Sequence, residues 1–273
     1  MTILDRIVDY KRTKELPCRM RDLPLEALRA RAAAAPPPRD FVAALRSAPD
    51  VALIAEVKRA SPSKGLLRPD FDPVRLAATY AANGAAAISV LTDEPFFQGS
   101  LAYITQIRSQ LASHLLASDR PEVPLLRKDF IIHPYQVYEA RAAGADALLL
   151  IAAILPDADL AELLSLTQAQ GMAALIEVHD REELMRVLPL APRLVGVNNR
   201  NLRDFSVNVD TCLRLRSQVP PEVCFVAESG IQTGADAARL AAADVDAMLV
   251  GEALVTAPDA GAKVLELIDG REG

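Results

Sequence analysis

The stretch from Val51 to Lys64, VALIAEVKRASPSK, sets reactive side chains at the end of an apolar run. It opens as an apolar strand, and Glu56 and Lys58 then appear where the apolar run should stop. Residues two apart on a strand point to the same side, so a carboxylate and an ammonium project together from one strand end. Arg59, Ser61, Pro62, Ser63, Lys64 and Gly65 follow at once. A strand that ends in charge and runs into a Ser/Pro/Gly loop reads as a site resting on a rigid element. The competing reading is a plain surface ion pair.

Other apolar runs end the same way. One ends in Arg127, Lys128 and Asp129, another in Glu177, another in Asn198, Asn199 and Arg200. Two more end in Glu228, Ser229 and Gly230, and in Gly251 and Glu252. Charges are seldom buried without partners, so a set of this size points to one shared site. A carboxylate and an ammonium there suit proton transfer. Gly230 and Gly251 would let backbone N–H groups approach an anion with no side chain in the way. Ser229 would add a hydroxyl donor, and a helix N-terminus would favour the anion further. Two ordinary tight turns are the alternative.

The elements that must position these residues alternate. Apolar strands are predicted at about 52–57, 86–91, 125–129, 146–151, 173–178, 194–198, 223–227 and 247–250, with an amphipathic helix after each, at about 30-residue spacing. Helix starts are signalled by Asp72–Pro73, His133–Pro134, Pro156–Asp157, Asp180, Asn208, Thr233 and Pro258. Continuous apolar runs such as AISVL and ALLLI suit parallel strands covered on both faces. Eight strand–helix units in 273 residues predict an α/β fold, a single closed (β/α)8 TIM barrel. An open doubly wound sheet would show a Gly-rich first loop, and none follows the first strand. In this barrel, functional groups sit at the C-terminal strand ends, where the charged residues fall.

Residues 1–48 predict a helical extension packed on the barrel mouth, and residues 49–273 the barrel itself. The first helix spans about 2–16, with Ile3, Leu4, Ile7, Val8 and, less strictly, Lys11 on its apolar spacing and Pro17 as its end. Further helices are expected at Pro24–Ala34 and Asp40–Ser47, with Pro36–Pro37–Pro38 between them at the mouth. The net charge is −6, Trp is absent and aromatics are few, which argues against nucleic-acid binding. Cys18, Cys212 and Cys224 are scattered, as in a reduced, cytoplasmic protein, and they form no zinc spacing with the three histidines. No apolar run is long enough for a membrane span, and the charged N-terminus does not read as a secretory signal.

The segments IAEVKRASPSKG (54–65), ISVLTDEPFFQGS (88–100), LLRKDFII (125–132), ALIEVHD (174–180), VGVNNRNL (195–202), VAESGI (226–231) and MLVGEAL (248–254) resemble those of indole-3-glycerol phosphate synthase, in the family's order. The resemblance implies conversion of 1-(2-carboxyphenylamino)-1-deoxyribulose 5-phosphate to indole-3-glycerol phosphate, with loss of carbon dioxide and water, in tryptophan biosynthesis. It implies a small phosphorylated substrate, no metal and no organic cofactor. It assigns Lys128 as general acid in ring closure, with Glu177 and Lys58 in later proton transfers and Glu56 orienting the lysines. Ser61, Asn198 and Arg200 would hold the anthranilate part or a hydroxyl, and Ser229, Gly230, Gly251 and Glu252 the phosphate. At Glu252 the backbone N–H is expected to face the phosphate, since its carboxylate would repel a dianion. A monomer or weak homodimer is expected, with association with other enzymes of the pathway open.

Several residues are expected to be bystanders. Asp129 would support Lys128 by pairing, His133 and His179 would be caps or solvent contacts, and Arg127 and Glu94 would face water. Phe96 and Phe97 are expected to pack the loop or form a hydrophobic wall. Two alternatives remain. Phosphoribosylanthranilate isomerase calls for a Cys/Asp pair at strand ends, which the three cysteines do not supply. A non-catalytic phosphate-binding barrel would not need Lys58, Lys128 and Glu177 together.

Overall fold

Each apolar run pairs with its neighbours in parallel, because crossover helices return the chain to the same end each time. The computed structural model describes residues 2–115, 122–200 and 206–269. Its strands are β1 (Ala52–Val57), β2 (Ala87–Leu91), β3 (Leu125–Lys128), β4 (Ala147–Ile151), β5 (Ala173–Val178), β6 (Leu194–Asn198), β7 (Cys224–Glu228) and β8 (Ala247–Val250). They pair in sequence order, and β8 closes on β1 through Ala52–Ala247 to Ala55–Val250. The chain is therefore a (β/α)8 barrel, as the spacing of the apolar runs predicts. No helix of the described residues is long and apolar enough to cross a membrane.

The period of two sorts every strand residue to one of two cores. Leu53, Ala55 and Val57, Ile88 and Val90, Leu148 and Leu150, and Ile176 and Val178 join the shell between barrel and helices. Ala52 and Ile54, Ala87, Leu126, Ala147 and Leu149, Leu175, and Ala247 and Leu249 fill the interior. Carrying the inward register toward the C-terminal ends brings it to Glu56, Lys128, Glu177, Asn198 and Glu228. Charge therefore occupies the top of an interior whose lower layers are apolar.

Helix starts follow the expected chemistry. Asp72, His133, Asp180 and Thr233 each accept a backbone N–H from the first turn of the helix they precede. Near Pro258, Asp259 takes that role by accepting from Ala262 N–H. After Asn208, the helix is Asp210–Arg216.

The N-terminal segment differs from expectation in two places. Pro17 does not end the first helix. Residues Ile3–Tyr10 continue through a wider π-turn, Lys11–Glu15, into Leu16–Asp22, with Leu16 N–H donating to Lys11 C=O. Pro17 stands at the start of that last piece, where a missing N–H is tolerated. Nor does the Pro36–Pro38 segment lie at the mouth. Arg39 N–H donates to Asp146 Oδ1 at 2.8 Å, just ahead of β4, so the segment crosses the opposite, N-terminal end of the barrel. Helix Phe41–Arg46 then inserts Phe41, Val42 and Leu45 among the lowest interior residues and plugs that end. Helix Leu25–Ala34 buries Leu28, which clusters with Leu16 and with Tyr135 of helix Pro134–Ala143.

Candidate active site

The C-terminal strand ends surround a cavity of about 820 Å³. Every residue given a catalytic, substrate-binding or phosphate-binding role by the resemblance lines it: Glu56, Lys58, Ser61, Lys128, Glu177, Asn198, Arg200, Ser229, Gly230, Gly251 and Glu252. Asn201 and Leu202, the end of the VGVNNRNL segment, lie outside the described residues.

One wall is apolar. Ile3, Leu4 and Ile7 of the first helix, Leu91, Phe97, Phe130, Leu149 and Ile151 form it. The rings of Phe97 and Phe130 lie 6.0 Å apart, so Phe97 is a hydrophobic wall, one of the two roles expected of it. Opposite are the loops after β7 and β8. Ser229 and Gly230 are consecutive left-handed residues, φ 67° and 82°. At Gly230 a Cβ would also stand 2.5 Å from Val207, so glycine is required there twice over. Gly251 leads into the short helix Glu252–Val255. The Glu252 carboxylate pairs with Lys64 of the loop after β1, so its negative charge is matched before any ligand arrives.

The floor is a charge network. Glu56 Oε1 stands 2.7 Å from Lys58 Nζ. Lys128 Nζ donates to Glu177 Oε2 at 3.0 Å and lies 3.4 Å from Glu228 Oε2. Asn198 Nδ2 donates to Glu177 Oε1 at 3.1 Å, and Arg200 N–H donates to Asn198 Oδ1 at 3.0 Å. Burial opposes the Lys128 ammonium, but Glu177, Glu228 and Glu56 outweigh it and raise Lys128 above its ordinary value. Burial likewise opposes ionisation of Glu177, but Lys128, His179 and Asn198 hold it well below the carboxylate range.

Glu228 behaves in the opposite way. Burial, only partly offset by Lys128 and reinforced by Glu177, pushes it up to about 8. Two carboxylates beside one ammonium cannot both ionise freely. Gly196 makes room for Glu228, since a Cβ there would fall 2.2 Å from its Oε1. The folded state therefore takes up a proton between the ordinary 4.5 and about 8, and its stability falls as pH rises through that window. Glu228→Gln removes the effect. The Tm of this variant relative to the native chain should climb from pH about 5 to pH about 9. A constant difference would mean that Glu228 is ionised throughout.

Four expectations need correction. Asp129 does not pair with Lys128. On a strand the neighbour of an inward residue points outward, and Asp129 instead meets Lys11 at 2.7 Å and Arg127 at 3.0 Å. Arg127 does not face water, since the same alternation buries it wholly behind β3, bonded to Gln136 C=O and Glu139. His179 is neither a cap nor a solvent contact, since its Nε2 lies 3.3 Å from Glu177 and its Nδ1 3.1 Å from Glu183. Burial disfavours its imidazolium, yet those two glutamates raise it to about 10. Asn199 is buried away from the cavity, donating to Ser229 C=O and accepting from Cys212 N–H, so it braces the loops. Sequence reading gave no role to Glu228, although its inward register with Cys224 and Val226 was a usable signal.

Comparisons agree with this geometry. The family model of indole-3-glycerol phosphate synthase matches residues 4–267. An indole-3-glycerol phosphate synthase of Roseiflexus sp. (strain RS-1) is 54% identical over 268 residues, covering 97% of this chain and 98% of its own. That of Albidiferax ferrireducens is 48% identical over 268 residues, covering 97% of each. Among solved structures, the alpha subunit of tryptophan synthase from Legionella pneumophila superposes with TM-score 0.59 at 16% identity, over 84% of this chain and 96% of its own, which reflects a shared fold. A 3-hexulose-6-phosphate synthase from Salmonella typhimurium gives 0.62 at 11% identity, over 81% of this chain and 98% of its own, with the same meaning. Sequence likeness over nearly the whole length, joined to the strand-end cavity, establishes that the chain belongs to the indole-3-glycerol phosphate synthase family.

Proposed function

We propose that this cavity closes the indole ring of 1-(2-carboxyphenylamino)-1-deoxyribulose 5-phosphate. The observation that carries the reading is the meeting of Lys58 and Lys128 with Glu56, Glu177 and Glu228 in one cavity, between an apolar wall and two glycine loops. The aromatic ring would lie on Phe97, Phe130 and the first helix. The phosphate would lie on the backbone of Ser229, Gly230, Gly251 and Glu252. Holding both ends folds the substrate, which places the aromatic carbon bearing the carboxylate against the ketone carbon.

The new C–C bond puts negative charge on the ketone oxygen, and Lys128 donates the proton that neutralises it. Loss of carbon dioxide restores the aromatic ring and leaves a hydroxyl on the former ketone carbon. That hydroxyl departs with a proton from a lysine, Lys58 or Lys128. Glu177 takes the neighbouring proton, and the pyrrole ring is complete. Glu56 orients Lys58, and Asn198 orients Glu177. Ser61, Asn198 and Arg200 hold the anthranilate part or a substrate hydroxyl. Residues 1–48 serve the barrel as an extension whose first helix supplies substrate wall, and residues 49–273 carry the chemistry.

Three unpaired cysteines, Cys18, Cys212 and Cys224, support a reducing, cytoplasmic setting. Exposed large apolar side chains such as Met185 and Leu265 stand on separate outer helices, which supports a monomer or weak homodimer. Spectrophotometric detection of indole product from the carboxyphenylamino substrate tests the reading. Product at catalytic rates is expected. Tight binding of substrate without turnover would make the chain a binding protein, and turnover of phosphoribosylanthranilate alone would make it an isomerase.

A further inference from the structure

Behind Lys128, buried and half-buried charges form a closed ring. Lys11 meets Asp129 at 2.7 Å, Asp129 meets Arg127 at 3.0 Å, and Arg127 meets Glu139 at 3.3 Å. Glu139 meets Arg19 at 3.1 Å, Arg19 meets Glu15 at 2.9 Å, and Glu15 returns to Lys11 at 2.9 Å. Charges alternate in sign around all six members. Half the ring belongs to the first helix and half to β3 and the helix Pro134–Ala143. Lys11 carries a further partner, Asp93, at 3.0 Å.

Lys11 is wholly buried, and the π-turn is what delivers it. Such turns widen a helix by one residue and recur at functional sites. Lys11 reaches three segments at once, and each lines the cavity. Its own helix supplies Ile3, Leu4 and Ile7. Asp93 accepts Phe96 N–H at 2.8 Å and so starts the short helix Glu94–Phe97, which presents Phe97. Asp129 directly follows Lys128, accepts Phe130 N–H at 2.8 Å and accepts Thr92 Oγ1–H at 2.6 Å. The Asp129 carboxyl is held well below its ordinary range by Lys11 and Arg127 against the cost of burial, while burial pushes Asp93 up despite Lys11. One ammonium thus holds an ionised anchor beside the general acid.

We propose that Lys11 is a positioning residue for the reaction: it assembles the aromatic wall and fixes the backbone that aims Lys128. A purely structural ring would stabilise the fold and leave the kinetics alone. The inference rests on the role given to Lys128 above.

The test is Lys11→Met in the full chain, a change that keeps the side-chain length and removes the charge. With the fold intact by near-UV circular dichroism, kcat should fall about tenfold and KM should rise about fivefold. Lys11→Arg should recover part of both. In a Lys128→Ala background, the loss in kcat from Lys11→Met should disappear while the rise in KM persists. Values of kcat and KM within twofold of native in folded Lys11→Met overturn the proposal. If that variant does not fold, Asp129→Asn provides the same readings with a smaller change. Near-native turnover in Lys128→Ala alone would remove the acid and not the ring, whose effect on KM is read independently.

Discussion

Turnover should fall by at least about 10²-fold when Lys128 is replaced by alanine, with only modest change in substrate binding. In the proposed reaction the ammonium donates where charge develops, on the ketone oxygen, so its loss is felt in the transition state more than in the ground state. Binding is expected to survive because the two glycine loops and the apolar wall do not depend on it. The truncation strips Glu177 and Glu228 of their shared cation. Breaking a buried pair in this way costs about 3–5 kcal/mol unless a proton replaces the lost charge. Glu228, already pushed up to about 8, is the group that takes it. The variant should therefore stay folded at neutral pH and lose stability as pH rises. Steady-state kinetics with a thermal melt at two pH values checks both parts. Near-normal turnover would remove Lys128 from the mechanism.

Glu177→Gln is expected to lower turnover by a similar factor, about 10²-fold or more. An amide cannot accept the proton that must leave to complete the pyrrole ring. The variant also removes the partner that raises Lys128 most. Lys128 should then release its proton at lower pH, and the alkaline limb of kcat should move down. Stability carries a separate signature. The folded Glu177 carboxyl lies below its ordinary 4.5, so it stabilises above that value and loses the effect as pH falls. The Tm difference between native and variant chains should therefore shrink in acid. An unchanged kcat–pH profile, with only KM altered, would make Glu177 a binding residue.

The two variants separate the halves of the reaction. Lys128→Ala should stop the first bond from forming. Glu177→Gln should let ring closure proceed further than dehydration. Trapped intermediate in single-turnover mixtures of the second variant, and unreacted substrate in those of the first, is the expected pattern.

Much of this site was open to sequence reasoning because a barrel strand has a fixed period. Glu56, Lys128 and Glu177 each end an apolar run, and apolar runs in a (β/α)8 barrel end at the functional face. The same reasoning reached Ser229, Gly230 and Gly251, since glycine after a strand marks a turn that backbone must approach. Helix starts at Asp72, His133 and Thr233 followed from local capping, which needs only a few neighbouring residues.

What failed depended on partners distant in the chain. Helical spacing put Lys11 on the buried face of the first helix, but nothing local says that Asp93 and Asp129 await it there. Arg127 reads as surface charge and Asp129 as a partner of Lys128, because each is polar and next to a loop. Only closure of the barrel turns them outward into a buried layer with Glu139. The Pro36–Pro38 segment lies at the end of the barrel opposite to the expected one, since a proline run shows where a helix stops but not where the chain then goes. Residue order carries the alternation of strand and helix, and with it which residues point into the barrel. Which carboxylate is pushed toward its neutral form, and which charges meet a common counter-ion, is set by the folded arrangement, because Coulomb energy depends on separation in space and on burial, and neither is written in the order of residues.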